Sequence, residues 1–213
     1  MKKNKQQRRM NWTRVWVAGL LAPVTFVFLT LLVVVYAEEL EFPQVIEERT
    51  QQLFDVPVPE ANIPLYKEAA DAYGIPWTLL AAHHRVETRF SKMDPLISPV
   101  GAEGHMQFMP CTFVGWSHPT CGGLGEGAIE DGEKTDPAVI HQYGGYGVDG
   151  DGDGIADPFN LTDAMYSAAN YLAANGAAEG DLERAVFNYN HSDEYVRKVL
   201  SFYEKYEQQL TGN

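Results

Sequence analysis

The sequence predicts a mostly α-helical domain that follows a single membrane-spanning helix. Two observations carry this prediction. A stretch of 22 residues without a charge, Val15 to Tyr36, lies near the N-terminus. After Ile63, apolar residues recur at helical spacing through several segments, and no pair of strands stands out. With 213 residues, the chain has room for one domain and an appendage.

The uncharged stretch, residues 15–36, is long enough to cross a bilayer as a helix. Residues 1–14 before it hold six basic side chains and no acidic one, and acids follow it closely. Because basic residues stay on the cytoplasmic side, we expect residues 1–14 in the cytoplasm and the residues after Tyr36 outside the cell membrane. A signal peptide cleaved at "VYA" is the alternative, although its apolar core usually spans only about 7–15 residues.

The part after the membrane span is strongly acidic, with 10 basic and 29 acidic side chains and thus a net charge of −19. This charge excludes nucleic acid and anionic lipid as partners held by electrostatic attraction. A neutral or weakly charged polymer, or a bound cation, is the expected partner. Prolines and acids predict a stalk over residues 37–62, and the folded domain is expected over residues 63–213.

The folded domain is predicted as a series of helices with one long loop. A first helix ends at Gly74 as its C-cap, and Pro76 suits the first turn of a second helix. Residues 117–158 predict a loop that shapes a cleft, because they are rich in Gly, Asp and Pro with little apolar periodicity. The remaining predicted elements are a loop over 91–104, a short helix after Pro110, and helices over 161–176, 181–190 and 193–210.

The second helix carries an acidic residue on its apolar face. Leu79, His83, Glu87 and Phe90 follow one another at steps of four, four and three, which is one face of a helix. A carboxylate on an inward face must be paired, solvated in a cleft, or kept protonated for chemistry. An ion pair with a neighbouring arginine, or an ordinary carboxylate at the end of a helix, is the simpler interpretation of Glu87.

Two other stretches carry side chains suited to a ligand. In "SPVGAEGHMQFMP", residues 98–110, the amide of Gln107 suits a hydroxyl or amide group of a sugar. In "NYNHSDEY", residues 188–195, two tyrosines and an asparagine supply an aromatic platform and amide groups. Core filling by Met and Phe and ordinary helix capping are the alternatives for these two stretches.

Together these stretches resemble the bacterial lytic transglycosylases, most closely the membrane-bound lytic transglycosylase B family, which shares a goose-type lysozyme core. The resemblance runs from about Tyr66 to Tyr203. It rests on "YGIPWTLLAAHHRVETRF", "SPVGAEGHMQFMP", "DGDGDGIADPFNLTDAMYSAANYL" and "YNHSDEY", in this order. It implies a lysozyme-like domain that cleaves the bond between N-acetylmuramic acid and N-acetylglucosamine in peptidoglycan.

The resemblance implies that Glu87 is the sole catalytic carboxylate, first as acid and then as base, and that the product is a 1,6-anhydromuramyl end. An apolar setting keeps such a carboxylic acid protonated near neutral pH. A hydrolytic muramidase is one alternative, but it needs a second carboxylate. A non-catalytic, calcium-stabilised wall-binding protein is the other. The substrate-binding residues that the resemblance implies are Ser98, Gln107, Tyr189, Asn190 and Tyr195.

The stretch "DGDGDGIADPFNLTD" predicts a calcium site. Its first three aspartates and Gly154 occupy positions 1, 3, 5 and 6 of a calcium loop, but position 12 is Asn160 rather than the usual Glu. The resemblance implies that an aspartate three residues later closes a longer loop. The expected ligands are Asp149, Asp151, Asp153, the carbonyl of Ile155, and Asp163. We expect a structural Ca²⁺ with weak affinity, on the order of 10⁻⁴–10⁻³ M, and no cofactor for catalysis. A charged turn that binds nothing is the alternative.

The two cysteines, Cys111 and Cys121, lie on the side of the membrane expected to be oxidising. A disulfide between them is predicted, with two free thiols as the alternative.

Overall fold

The structure, a computed structural model, describes residues 57–212. The predicted cytoplasmic tail, the predicted membrane-spanning helix and most of the predicted stalk lie outside the described residues. Within residues 57–212, no helix is long and apolar enough to cross a membrane.

Helices build most of the described part, and its only strand-like pairings are isolated bridges from Glu103 to Ile97 and to Phe108. Short 3₁₀ turns lie at Glu60–Asn62 and Ala177–Glu179, and a π turn lies at Glu207–Thr211. The α-helices are α1 (Ile63–Tyr73), α2 (Trp77–Thr88), α3 (Pro110–Val114), α4 (Asp131–Lys134), α5 (Pro137–Tyr143), α6 (Leu161–Ala174), α7 (Leu182–Asn190) and α8 (Asp193–Tyr206).

Helix α2 forms the centre of the core. Its four successive apolar residues from Leu79 to Ala82 are fully buried, and it packs against α1 and α8. The predicted end of α1 is confirmed, since Gly74 is its left-handed C-cap with φ of 68°. Pro76 was predicted in the first turn of α2, but it is the extended N-cap one position earlier. Because α2 is buried on nearly all sides, any polar side chain on it lies close to another element.

The end of α2 differs from the predicted helix face in one respect. Phe90 is buried but not helical, because α2 ends at Thr88 and the next three residues, Arg89 to Ser91, have φ of 53°, 60° and 65°. The amide of Phe90 donates to the carbonyl of His84 at 3.2 Å, which closes the helix end. The predicted inward face of the helix is therefore confirmed as far as Glu87. The prediction that Phe90 continues this helix was wrong.

The predicted long loop over residues 117–158 contains two short helices, α4 and α5. The Asp136 carboxylate caps α5 by accepting a hydrogen bond from the amide of Ala138 at 2.8 Å, Pro137 occupies its first turn, and Gly144 ends it. These helices have four and seven residues, too few to produce a clear apolar period. The prediction of a continuous loop was wrong here for that reason.

The predicted disulfide is confirmed: Cys111, which lies on α3, is bonded to Cys121. The bond closes a loop of the chain that contains Trp116, whose side chain is 53% exposed. The three predicted C-terminal helices are confirmed as α6, α7 and α8. Helices α7 and α8 pack against one another, and α8 also packs on α2, so residues near the α7–α8 junction come close to Glu87.

Candidate active site

Glu87 lies in the last turn of α2, half-buried between α2 and α8. The hydroxyl of Tyr195 donates a hydrogen bond to its Oε1 atom. Burial raises the pKa of Glu87 to about 7, although the Tyr195 hydrogen bond and the charge of Lys198 act in the opposite direction. The position at a helix C-terminus also disfavours a negative charge. Glu87 therefore holds and releases a proton near neutral pH.

The rings of His83, Tyr189 and Tyr195 pack against one another beside Glu87. The Nδ1 atom of His83 lies 3.0 Å from the Tyr195 hydroxyl oxygen, and the Tyr189 ring centroid is 5.0 Å from that of His83. The rings of Tyr189 and Tyr195 are nearly parallel, with 7° between their planes. Burial lowers the pKa of His83 to about 3, so its imidazole is neutral at physiological pH.

A cavity of about 300 Å³ adjoins this group. Tyr189 forms part of its wall and also contacts His83, whereas Glu87 and Tyr195 are not among the lining residues. The cavity is mostly aromatic, which suits the apolar faces of sugar rings. Its lining residues are Gln107, Phe108, Met109, Thr112, Trp116, Leu124, Tyr146, Tyr171, Asn188, Tyr189 and His191.

The turn that precedes the cavity is held by its own polar groups. The Ser98 hydroxyl accepts a hydrogen bond from the amide of Ala102 at 2.9 Å, and the Gln107 amide group donates to the carbonyl of Gly104 at 2.8 Å. Gly104 has no room for a side chain, because a Cβ atom would lie 1.9 Å from the carbonyl oxygen of Pro158. This turn therefore places Gln107 on the cavity wall, and the Ser98 hydroxyl stabilises the turn.

The predicted site residues fall into two groups. Glu87, Tyr189 and Tyr195 lie together, and Gln107 shares the cavity wall with Tyr189. Ser98 and Asn190 are not among the residues that line the cavity, and Asn190 is exposed at the end of α7.

Sequence reasoning missed several parts of the site. His83 was placed on the inward face of α2, but its contact with Tyr195 spans 112 positions of the chain, and no local pattern reveals such a pairing. Trp116 gave a readable signal, since a tryptophan lies here between the two cysteines, next to a glycine and a serine. The aromatic wall from Phe108, Tyr146 and Tyr171 had no such signal.

The predicted calcium loop brings three carboxylates together. One oxygen each from Asp149, Asp151 and Asp153 lies within 4.8 Å of the others. Backbone amides hold these side chains in place; for example, the Asp149 carboxylate accepts hydrogen bonds from Gly152 at 2.7 Å and Gly154 at 2.8 Å. Carboxylate oxygens that converge in this way are the hard donors that Ca²⁺ prefers, so the residues present fit that ion.

Asp163 and Asn160 have a different place in the loop. Asp163 is 1% exposed, and its two oxygens accept hydrogen bonds from the amides of Gly150 at 2.8 Å and Asp157 at 2.9 Å. Asn160 caps α6 and donates to the Asp151 carboxylate at 2.8 Å. Asp163 therefore ties the two arms of the loop to α6, and it lies outside the group of three converging carboxylates. The predicted roles of Asp163 and the Ile155 carbonyl as ligands stay predictions.

A part of the chain is similar to a known protein family. The sequence model described as "Transglycosylase SLT domain" matches residues 140–193. This match supports a lytic transglycosylase family. The matched segment includes the aspartate loop, α6, α7 and Tyr189, but not Glu87 or Tyr195. Together with the helical architecture, it supports a lysozyme-like domain.

The chain is also similar to the L-Ala--D-Glu endopeptidase of Bacillus subtilis (strain 168), with 30% identity over 149 residues. The alignment covers 68% of this chain and 41% of that relative, so the chain spans less than half of the relative's length. No solved structure matches the chain.

Proposed function

We propose that this domain is a peptidoglycan lytic transglycosylase in which Glu87 is the acid and then the base. The observation that carries the proposal is the half-buried Glu87, whose pKa is raised to about 7 next to an aromatic cavity. A carboxyl group with this pKa is protonated in a large fraction of molecules at neutral pH, and it can also act as a base once it has given its proton away. The SLT match supports peptidoglycan as the substrate.

The reaction begins when Glu87 gives its proton to the oxygen between N-acetylmuramic acid and N-acetylglucosamine. The bond from that oxygen to C1 of the muramic sugar breaks, and the sugar's own N-acetyl group stabilises the positive charge at C1. Glu87, now a carboxylate, takes the proton of the muramic 6-hydroxyl, whose oxygen bonds to C1. A 1,6-anhydro ring forms, the proton returns to Glu87, and no water is consumed.

The cavity supplies the surface on which a glycan strand would lie. Trp116 is exposed at its edge, and Tyr146 and Tyr171 form part of its wall with ring centroids 4.6 Å apart. Aromatic rings stack on the apolar faces of sugars, and the Gln107 and Asn188 amides offer hydrogen bonds to hydroxyl and N-acetyl groups. We assign substrate binding to this wall, including Tyr189, and keep Ser98 and Asn190 as further predicted contacts.

The hydrolytic alternative requires a second carboxylate to activate water. Glu103, an acidic residue in the turn that precedes the cavity, is held in an ion pair with Lys134 at 2.9 Å. This pairing disfavours Glu103 as a water-activating base, since its charge is already engaged.

Mass spectrometry of fragments released from purified sacculi tests the proposal. We expect muramic ends in the anhydro form, which lack one water relative to hydrolytic ends. Hydrated ends alone would favour a muramidase, and no released fragments would favour a wall-binding protein. The Glu87→Gln variant, with its Cys111–Cys121 disulfide intact, serves as the negative control.

We further propose a structural Ca²⁺ held by the aspartate loop, with the Ile155 carbonyl and Asp163 as additional ligands, and no cofactor for the reaction. The ion would hold the loop before α6 and would supply no chemistry at Glu87. We also propose that residues 15–36 anchor the protein in the cell membrane, with the catalytic domain outside. The assignment to the membrane-bound lytic transglycosylase B family is part of the same proposal.

A further inference from the structure

His83 has one nitrogen without a partner. Its Nε2 atom is buried and has no hydrogen-bond partner among the described residues, whereas its Nδ1 atom lies 3.0 Å from the hydroxyl oxygen of Tyr195. The imidazole is neutral, so it carries one proton, on either Nδ1 or Nε2. A proton on Nε2 would be a buried donor with no acceptor, and a bare lone pair there is less costly. The surroundings therefore favour the proton on Nδ1.

A proton on Nδ1 determines the direction of the next hydrogen bond. The Tyr195 oxygen accepts from His83, and its own proton is then directed to Oε1 of Glu87, where the structure has a hydrogen bond. The reverse direction would require Tyr195 to donate to Nδ1 and would place the proton of His83 on Nε2. The three side chains thus form a chain of donors that runs from His83 through Tyr195 to Glu87.

We propose that His83 is a positioning residue: it orients the Tyr195 hydroxyl toward Oε1, so that the transferable proton of Glu87 lies on Oε2. This inference rests on the proposed role of Glu87 as the acid. When Oε2 gives its proton to the glycosidic oxygen, the bond from Tyr195 stabilises the carboxylate that is left. The same bond is already in place when Oε2 takes the proton back from the 6-hydroxyl, so the rings need not move between the two steps.

The groups that face Glu87 belong to three helices. His83 is on α2, Tyr189 is on α7, and Tyr195 and Lys198 are on α8. Tyr189 donates its proton to the carbonyl of Met106 at 2.8 Å, so it does not compete for Oε1. Lys198 is exposed and lowers the pKa of Glu87 through its charge. Only Tyr195 has its donor direction set by a neighbouring buried ring.

Variants at position 83 test the proposal by the pH dependence of wall cleavage. His83→Leu removes the donor, and His83→Asn keeps an N–H close to the position of Nδ1. We expect His83→Leu to lower the cleavage rate about 10-fold. It should also move the alkaline limb of the pH–rate profile to higher pH, because Glu87 without an oriented hydrogen-bond donor has a higher pKa. His83→Asn should recover part of the rate and return the limb toward the wild-type position. A rate loss with an unmoved limb in both variants would overturn the proposal.

Tyr195→Phe provides the second half of a double-mutant cycle. It removes the hydroxyl itself, so it should move the limb at least as far as His83→Leu does. Adding His83→Leu to Tyr195→Phe should then produce no further movement, because His83 acts only through that hydroxyl. Two shifts that add would show that His83 acts independently, and would overturn the proposal.

Nitrogen NMR of histidine-labelled wild-type protein provides a test that needs neither substrate nor a mutation. We expect the His83 signal to show a protonated Nδ1 and a bare Nε2. A proton on Nε2 would overturn the inference whatever the activity of the variants. If instead the tautomer is as expected but Glu87→Gln still cleaves sacculi, the proposed function fails while the assignment of the His83 proton stands.

Discussion

The half-buried Glu87 and the almost fully buried Asp163 are two carboxyl groups that stand at opposite ends of their helices. Burial raises the pKa of both groups. Glu87 lies in the last turn of α2, where the helix dipole opposes a negative charge, and Asp163 lies in the first turn of α6, where the dipole favours one. The helix dipole is thus one difference between the two sites: it disfavours the charged form of Glu87 and favours that of Asp163.

The partners of the two carboxyl groups differ as well. Asp163 accepts hydrogen bonds from two backbone amides, one on each oxygen, which fixes it as an acceptor. Glu87 accepts from the hydroxyl of Tyr195 on one oxygen, and its other oxygen accepts no hydrogen bond from residues 57–212. Asp163 thus uses both of its oxygens to hold the loop, whereas the proposed acid uses one.

The largest effect is expected from Glu87→Gln, which keeps the shape of the side chain and removes the transferable proton. We expect sacculus cleavage to fall by about 10²–10⁴-fold, the usual contribution of a general acid. Glu183→Gln, at an exposed position on α7, makes the same chemical change and should retain wild-type activity. Turbidity loss of purified sacculi measures both, and near wild-type cleavage by a folded Glu87→Gln protein would refute the assignment.

The same isosteric change at the second carboxyl group should affect stability instead. In Asp163→Asn one oxygen becomes an NH₂ group, so one of the two backbone donors at Gly150 or Asp157 loses its acceptor. We expect a loss of about 3 kcal/mol in the free energy of unfolding. Asp71→Asn, the same change at an exposed position on α1 and likewise measured without calcium, should change it by less than about 0.5 kcal/mol. Urea titration compares the two, and equal values would contradict this view of Asp163.

Calcium tests whether the loop around Asp163 holds an ion. The three converging carboxylates repel one another, and a cation would relieve this repulsion, so added Ca²⁺ should raise the melting temperature. At a concentration 100 times the dissociation constant the gain is about 2.7 kcal/mol. The double variant Asp151→Asn/Asp153→Asn should lose this response and still cleave sacculi. An unchanged melting temperature in the wild type, or a folded but inactive chelated enzyme, would count against a structural ion.

The smallest effect concerns the cost of ionising Glu87. Its pKa is about 7 in the fold and 4.5 ordinarily, so the wild type loses stability as the pH rises from about 4.5 to 7. Glu87→Gln does not ionise and escapes this loss. At pH 8 the variant should exceed the wild type by on the order of 1 kcal/mol, less than the full pKa difference gives because the carboxyl group is partly exposed. Below pH 4.5 the advantage should disappear, and melting curves at pH 4 and pH 8 check this.

The sequence was sufficient for those features that depend on neighbouring residues. Gly74 and Pro76 set the boundary between α1 and α2, and the four-residue spacing placed Glu87 on the inward face. Helix α5 was missed although Asp136 and Pro137 are a readable helix start, because seven residues carry too few apolar positions. The partner of Glu87 depends on how α8 packs on α2, so Tyr195 was predicted as a substrate-binding residue and its hydrogen bond to Glu87 was not.

Three successive left-handed residues, Arg89 to Ser91, close the helix that carries Glu87, and none of them is glycine. Side chains other than Gly, Asn and Asp are costly in this conformation, and β-branched ones most of all. In a library of substitutions, the exposed position of Arg89 should therefore accept Gly and Asn and reject Val and Ile. Ser91 should accept almost nothing, because its hydroxyl contacts the rings of His84 at 2.8 Å and His105 at 2.7 Å. Among related sequences, the residue type in this turn should then vary at the position of Arg89 and change little at that of Ser91.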